Sequence, residues 1–271
     1  MVKLNKVPVE IKEQVSKAID LLCARLHGNI KAIYLYGSSV DGGLKPKSDI
    51  DLFVILNQSL DELTRQNLQK AMLTISSLVK EESRFRPLEV TMVTYSEISR
   101  WHFPPKREFQ FGEWLRQDIN SGVFEPPKED PDLAILLTKI RKNSLVLFGP
   151  AALKILDPIP RLHFVKALIK TLNLWDSEND IRGDELHITL TTARIWYSAS
   201  TGHIAPKDVA AEWLLSKVPS RFQDLLIKAR EGYLGVNKDL FDVKADRVMD
   251  FVSHAKIEIE SILEEKNGIK L

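Results

Sequence analysis

The sequence predicts an α+β protein in two parts: a mixed-sheet domain over residues 1–157 and an all-helical bundle over 158–271. Three observations carry that reading. Two apolar runs within 31–54 flank a glycine-bearing turn, and LEVTMV at 88–93 supplies a further strand. Asp157-Pro158 and Pro160 look like a linker. Beyond it no stretch alternates convincingly, and the apolar residues recur at helical spacing instead.

Taken in order, residues 8–27 place Ile11, Val15, Ala18, Ile19, Leu22 and Leu26 on one helical face, with Pro8 in the first turn and Gly28-Asn29 as the stop. Two strands follow within 31–54. Residues 59–80 read as a helix started by Ser59 or Asp61 and lined by Leu63, Leu68, Met72, Ile75, Leu78 and Val79. The strand after Pro87 puts Glu89, Thr91 and Val93 on one face. WHFPPKRE is a loop, 109–119 resumes helical spacing, EPPKEDPD is a second loop, and 132–148 is a helix ended by Gly149-Pro150. A short helix fills 151–156. The second domain reads as helices over 161–175, 184–200, 206–217, 219–233 and 240–265.

Composition narrows the function classes. With 271 residues and 44% hydrophobic content the chain can bury a substantial core. A net charge of +1 and the lack of a basic stripe with stacking aromatics argue against a nucleic-acid partner. The single cysteine, Cys23, excludes an intrachain disulfide, fits a reducing cytoplasm and is expected to pack within the first helix. No apolar stretch approaches the ~20 residues of a membrane span, and the N-terminus lacks a signal-peptide core. A cytoplasmic monomer without membrane attachment is expected.

The chemistry concentrates at KAIYLYGSSVDGGLKPKSDIDLFV. Residues two apart on a strand face the same way, roughly 6–7 Å apart, so Asp49 and Asp51 project together and suit Mg²⁺. Gly37 admits a ligand close to the backbone, while Ser38, nearby N–H groups and Ser48 suit phosphate oxygens. Glu89 sits mid-strand between Leu88 and Val90, where a charge needs a reason. As a third carboxylate it completes a metal–phosphate site, as ligand, as general base, or as both. A Gly-Ser turn or an Asp-x-Asp alone is commonplace; the combination in this order is not. In the helical half, Asp184, His187, Thr191, Arg194 and Ser198 form a narrow polar stripe between apolar flanks, which suits a helix lining a wet cleft or a polar seam. The acid-rich approach, DSENDIRGDE, suits a polycationic ligand.

GSSVDGGLKPKSDIDLFV resembles the signature of the nucleotidyltransferase superfamily, and the blocks RPLEVTMV, PPKREFQFGEWLR, DPDLAILLTKIRKNS, LFGPAA, GDELHITLTTARIWYSASTGHIAPKDVAAEW and AREGYLG resemble the aminoglycoside (3'')(9) adenylyltransferases. The resemblance implies a polymerase-beta-like nucleotidyltransferase domain followed by a helical antibiotic-binding domain. It implies ATP, two Mg²⁺ ions, and AMP transfer to the 3'' hydroxyl of streptomycin and the 9 hydroxyl of spectinomycin, with antibiotic resistance as the result. By position it assigns Asp49, Asp51 and Glu89 to metal, with Glu89 also catalytic. It assigns Ser38, Ser48, Asp132, Arg194, Lys207 and Tyr233 to ATP, and Trp114, Trp175, Asp180, Asp184 and His187 to the antibiotic. Asp132 taken alone reads as a helix N-cap before LAILL. The Trp175/Asp180 pair matches members that act on both drugs. The rival readings keep the fold with another hydroxyl acceptor, or make the chain a non-catalytic, antitoxin-like binding module.

Overall fold

The computed structural model describes residues 3–78, 84–236 and 242–267. The chain divides into two compact units, Met1–Pro160 and Arg161–Leu271. The first unit runs α1 (Val9–Leu26), β1 (Ile30–Tyr36), β2 (Ile50–Leu56), α2 (Glu62–Met72), β3 (Leu88–Thr94), α3 (Tyr95–Ser99), β4 (Lys106–Arg107), β5 (Phe109–Phe111), α4 (Arg116–Asn120), β6 (Lys128–Glu129), α5 (Leu133–Lys142), β7 (Leu145–Phe148) and α6 (Ala152–Ile155).

Five of these strands form one sheet in the order β5-β3-β2-β1-β7. β2 and β3 run parallel, and the other pairs are antiparallel, so the sheet is mixed. Period-two alternation sends Ile33, Leu35, Leu52, Val54, Val90 and Met92 into one core with the apolar stripe of α1. The opposite face, with Tyr34, Tyr36, Phe53, Ile55 and Val93, packs against Leu133, Leu137 and Ile140 of α5. Because both faces are covered, the strands read as nearly continuous apolar runs. The carboxylates at 51 and 89 interrupt that pattern on the α5 face.

Several expected boundaries are corrected. The helix expected over 59–80 ends at Met72: the Ser76 hydroxyl donates to the Glu113 carboxylate and accepts from Leu88 N–H at 2.9 Å, drawing the chain toward the sheet. Of its two candidate starts, Asp61 is the cap, accepting from Thr64 N–H at 2.8 Å. Val79, expected in that helix, lies outside the described residues. The helix expected over 109–119 splits into strand β5, a 3-10 turn at Glu113–Leu115 and α4. The edge of β3 recruits 109–111, pairing Val90 with Phe111 and Thr91 with Gln110. The helix expected over 132–148 stops at Lys142, and its apolar tail becomes β7 against β1. Asp132 occupies the N-cap position of α5, but its side chain makes no capping bond. Cys23 is exposed rather than packed, because the buried stripe of α1 runs through Ile19, Leu22 and Leu26.

The second unit, among its described residues, is helical throughout: α7 (Arg161–Leu172), α8 (Glu178–Ile181), α9 (Glu185–Thr201), α10 (Lys207–Leu215), α11 (Ser220–Leu234) and α12 (Ala245–Asn267). The short α8 escapes sequence periodicity because it spans about one turn. The start of the expected 240–265 helix falls partly outside the described residues, and α12 begins at Ala245. α9 is central and buries Ile188, Leu190, Ala193, Ile195, Trp196 and Ala199. Trp196 and Phe222 enclose the His254 ring at centroid distances of 5.8 and 5.2 Å. Among the described residues no helix is long and apolar enough to cross a membrane.

Candidate active site

In the first unit, Tyr36, Asp51 and Glu89 lie side by side across β1, β2 and β3. Asp49, one residue before β2, lies close enough for its charge to act on both Glu89 and Tyr36. Gly37 makes the arrangement possible: its φ is +73°, and an added Cβ would lie 1.8 Å from Asp51 Oδ2. Burial, then the Asp51 charge, then that of Asp49, raise the Glu89 carboxyl to about 8, against a smaller opposing pull from Lys139 and a Gln110 hydrogen bond. The Tyr36 phenol is pushed well above its ordinary value, first by burial and then by the same carboxylates. Lys139 of α5 stands over the Tyr36 ring at 5.2 Å.

Two serines follow Gly37, and only one spends its hydroxyl at home. Ser39 donates to the Tyr36 carbonyl at 2.9 Å, whereas Ser38 makes no such bond. Ser48 is 7% exposed, and its oxygen accepts from Lys45 N–H at 2.9 Å, leaving its hydrogen to donate outward. Trp114 is 60% exposed and lies across Gly112, where an added Cβ would meet its ring at 2.2 Å. A side chain at Gly112 would push that exposed ring aside.

Among the described residues no group of three or more His, Cys, Asp and Glu side chains forms a ready-made metal cage. Three mutually repelling carboxylates around a glycine cradle nevertheless fit Mg²⁺, which characteristically completes its shell with waters and substrate phosphates.

In the second unit, α9 with its N-cap, α10 and α11 bring five of the singled-out residues together. Lys207 Nζ lies 3.2 Å from His187 Nδ1 and 5.7 Å from the centre of the Tyr233 ring. Withdrawal from bulk water and then the Lys207 and Arg194 charges push the His187 imidazole down to about 3. The side chain keeps an exposed edge, and the imidazole is neutral. With Nδ1 accepting from the Lys207 ammonium, the proton is assigned to Nε2. Asp184 sits at the N-cap position of α9 without spending its carboxylate on a cap. Desolvation raises that carboxyl, against the opposing charge of Lys207.

Trp175 and Asp180 stand apart from this cluster. Trp175 is buried, and its carbonyl accepts from Lys256 Nζ at 3.0 Å. Asp180 Oδ2 closes a capping box, accepting from Ser177 N–H at 2.9 Å and its hydroxyl at 2.8 Å. Sequence reading passed over Tyr36, Gln110 and Lys139 beside the carboxylates. Tyr36 alone carried a usable signal, as the last strand residue before the glycine turn.

Two family models match, a nucleotidyltransferase domain over residues 15–112 and the C-terminal domain of aminoglycoside adenylyltransferases over 154–258. An aminoglycoside (3'')(9) adenylyltransferase of Escherichia coli is 46% identical over 257 residues, covering 95% of this chain and 98% of that one. The chain belongs to the aminoglycoside (3'')(9) adenylyltransferase family. It is accordingly a nucleotidyltransferase enzyme. A spectinomycin 9-adenylyltransferase of Staphylococcus aureus is 40% identical over 259 residues, 96% of this chain and 99% of the relative. The fold agrees as well. A crystal structure of spectinomycin adenyltransferase from Enterococcus faecialis with ATP and spectinomycin superposes with a TM-score of 0.85 at 26% identity, covering 90% of this chain and 98% of that one.

Proposed function

We propose that this adenylyltransferase moves AMP from ATP to the 3'' hydroxyl of streptomycin and the 9 hydroxyl of spectinomycin, releasing pyrophosphate and conferring resistance. The observation that carries this reading is the carboxylate row: Asp51 and Glu89 on neighbouring strands, Asp49 close enough for its charge to act on Glu89, and Gly37 shaped around Asp51. Asp49, Asp51 and Glu89 would hold Mg²⁺, with two ions expected. Bound there, Mg²⁺ supplies charge neutralisation for the phosphates. Ser38 and Ser48 donate their hydroxyls to phosphate oxygens. Glu89 accepts the proton of the attacking drug hydroxyl at its carboxylate. Lys207, Arg194, Tyr233 and Asp132 contact the nucleotide.

On the antibiotic side, Asp184 pairs with a cationic group of the drug, and neutral His187 donates from Nε2 to one of its oxygens. Trp114 offers an exposed aromatic face to the sugar rings. Trp175 and Asp180 favour streptomycin, the first as packing behind the drug site and the second through the carboxylate oxygen outside its capping box. The reaction takes place in the cytoplasm on a monomer. Incubating the purified protein with Mg²⁺-ATP and either drug should release pyrophosphate and add an AMP-sized mass to the drug, and EDTA should stop both. No mass gain on either drug would sink the reading.

A further inference from the structure

The segment between Gly37 and β2 carries Ser48 and Asp49 yet contains no regular element beyond its opening turn. Its shape is imposed from outside. Arg86 Nη1 donates to three carbonyls of that segment, Lys45 O at 3.0 Å, Pro46 O at 3.3 Å and Ser48 O at 3.0 Å. The residue after it completes the hold: Pro87 O accepts from Ile50 N–H at 2.8 Å. The two peptide groups flanking Asp49 are thus each tied down, one through Ser48 O and the other through Ile50 N–H. With both planes fixed, the backbone torsions of Asp49 are fixed, and so is the direction of its Cα–Cβ bond.

Arg86 is itself anchored. Gln14 of α1, 4% exposed, accepts from Arg86 N–H at 2.9 Å, and its amide donates to Arg86 O at 2.7 Å and Ile75 O at 2.8 Å. The far end of the segment is tied separately, by Asn143 Nδ2 donating to Asp41 Oδ2 at 2.9 Å. All three bonds to the segment leave one nitrogen, Nη1, whose N–H groups are shared among the three carbonyls.

We infer that Arg86 is a positioning residue for the transfer reaction: it aims Asp49 and Ser48 by clamping the backbone on either side of them. The inference rests on the proposed function for its catalytic half, while its structural half stands without it. The test uses Arg86→Ala and Arg86→Lys in the full chain, with Arg84→Ala, an exposed neighbour, as control.

Hydrogen exchange without nucleotide or metal should show the amides of 42–50 exchanging at least about tenfold faster in Arg86→Ala, with β1 and β3 unchanged. In kinetics, kcat should fall at least about tenfold and the Mg²⁺ concentration for half-maximal rate should rise, while KM for the antibiotic stays within about threefold. Arg86→Lys should recover part of both effects. Unchanged exchange over 42–50 overturns the inference. So does a loosened segment with kcat within about twofold of wild type, or a rate loss that vanishes at temperatures where the variant is fully folded. If wild type transfers no AMP, the functional reading falls, and the exchange arm still decides whether Arg86 fixes Asp49. Should Arg86→Ala fail to fold, Arg86→Lys carries the same comparisons.

Discussion

The carboxylate row of the first unit and the Lys207 cluster of the second collect charge by opposite means. Asp51 and Glu89 are neighbours because β2 and β3 pair in register, and Gly37 leaves room for Asp51 because it has no Cβ. The main chain does the positioning. In the second unit, Lys207, His187 and Tyr233 come from three helices and meet only through their side chains. The first arrangement gathers like charges that repel. The second sets a cation against an imidazole that it keeps neutral. A site built by backbone should fail abruptly under single changes, and one built by side chains should fail by degrees.

The largest expected effect tests the first half of that contrast. Glu89→Gln should lower turnover by about 10²–10⁴-fold. It should also stabilise the metal-free protein at alkaline pH. The folded value of Glu89, about 8, exceeds its ordinary 4.5, so between those limits the folded chain binds more protons than the unfolded chain. Stability therefore falls as pH rises through that window, and the uncharged variant lacks this slope. Melting temperatures in EDTA from about pH 5 to about pH 9 should diverge, with the variant higher at the alkaline end. Parallel curves would mean that neither burial nor the neighbouring carboxylates raise Glu89 in the folded chain.

Next comes Gly37→Ala, where the new methyl must displace Asp51. We expect a loss in kcat of about a hundredfold with a stability cost of only about 1–2 kcal/mol from the positive φ. A loss of activity no greater than the stability change predicts would break the claim that the backbone sets the site.

That difference in construction also explains what could be read in advance. Asp49, Asp51 and Glu89 were legible because strand alternation fixes a side chain's face from sequence alone, and charges in apolar strands stand out. The same reasoning misread FQF at 109–111 and LVLF at 145–148. Each is a short apolar run whose periodicity does not separate helix from strand, and each becomes a strand because a sheet edge offers it partners. Gln110, beside Glu89, was lost with the first of these errors. In the second unit, the polar stripe of α9 was visible, but its meeting with Lys207 and Tyr233 depends on helix packing that spacing does not encode. The capping duty of Asp180 was equally hidden, because α8 spans about one turn.

A milder effect probes the second cluster. Lys207→Gln should cost about tenfold in activity, the size of one lost charged hydrogen bond. It should also raise the His187 pKa, because one of the cations holding it neutral is gone. An NMR titration of the imidazole reads this directly, and an unmoved pKa would show that burial alone controls the ring.

The smallest effect belongs to Asp180→Ala. Opening the capping box should lower the melting temperature slightly. It should reduce streptomycin modification more than spectinomycin modification, and Trp175→Ala should share that bias. Equal losses on both drugs would reduce the pair to a structural role.

The parallel pairing of β2 with β3 has a consequence for how the chain assembles. β1 and β2 are antiparallel and close in sequence, so they can meet early. β3 must wait for the connection from Asn57 to Pro87, which contains α2, to cross over. Asp51 and Glu89 come side by side only at that step, so the crossover that closes the β2–β3 pair also brings two carboxylates together. A nascent chain that has not finished this crossover has the Gly37 turn and Asp51 but not Glu89 beside them. Divalent cation present during refolding should speed the final phase by screening that encounter, and an unchanged rate would mean that the two carboxylates do not resist the crossover.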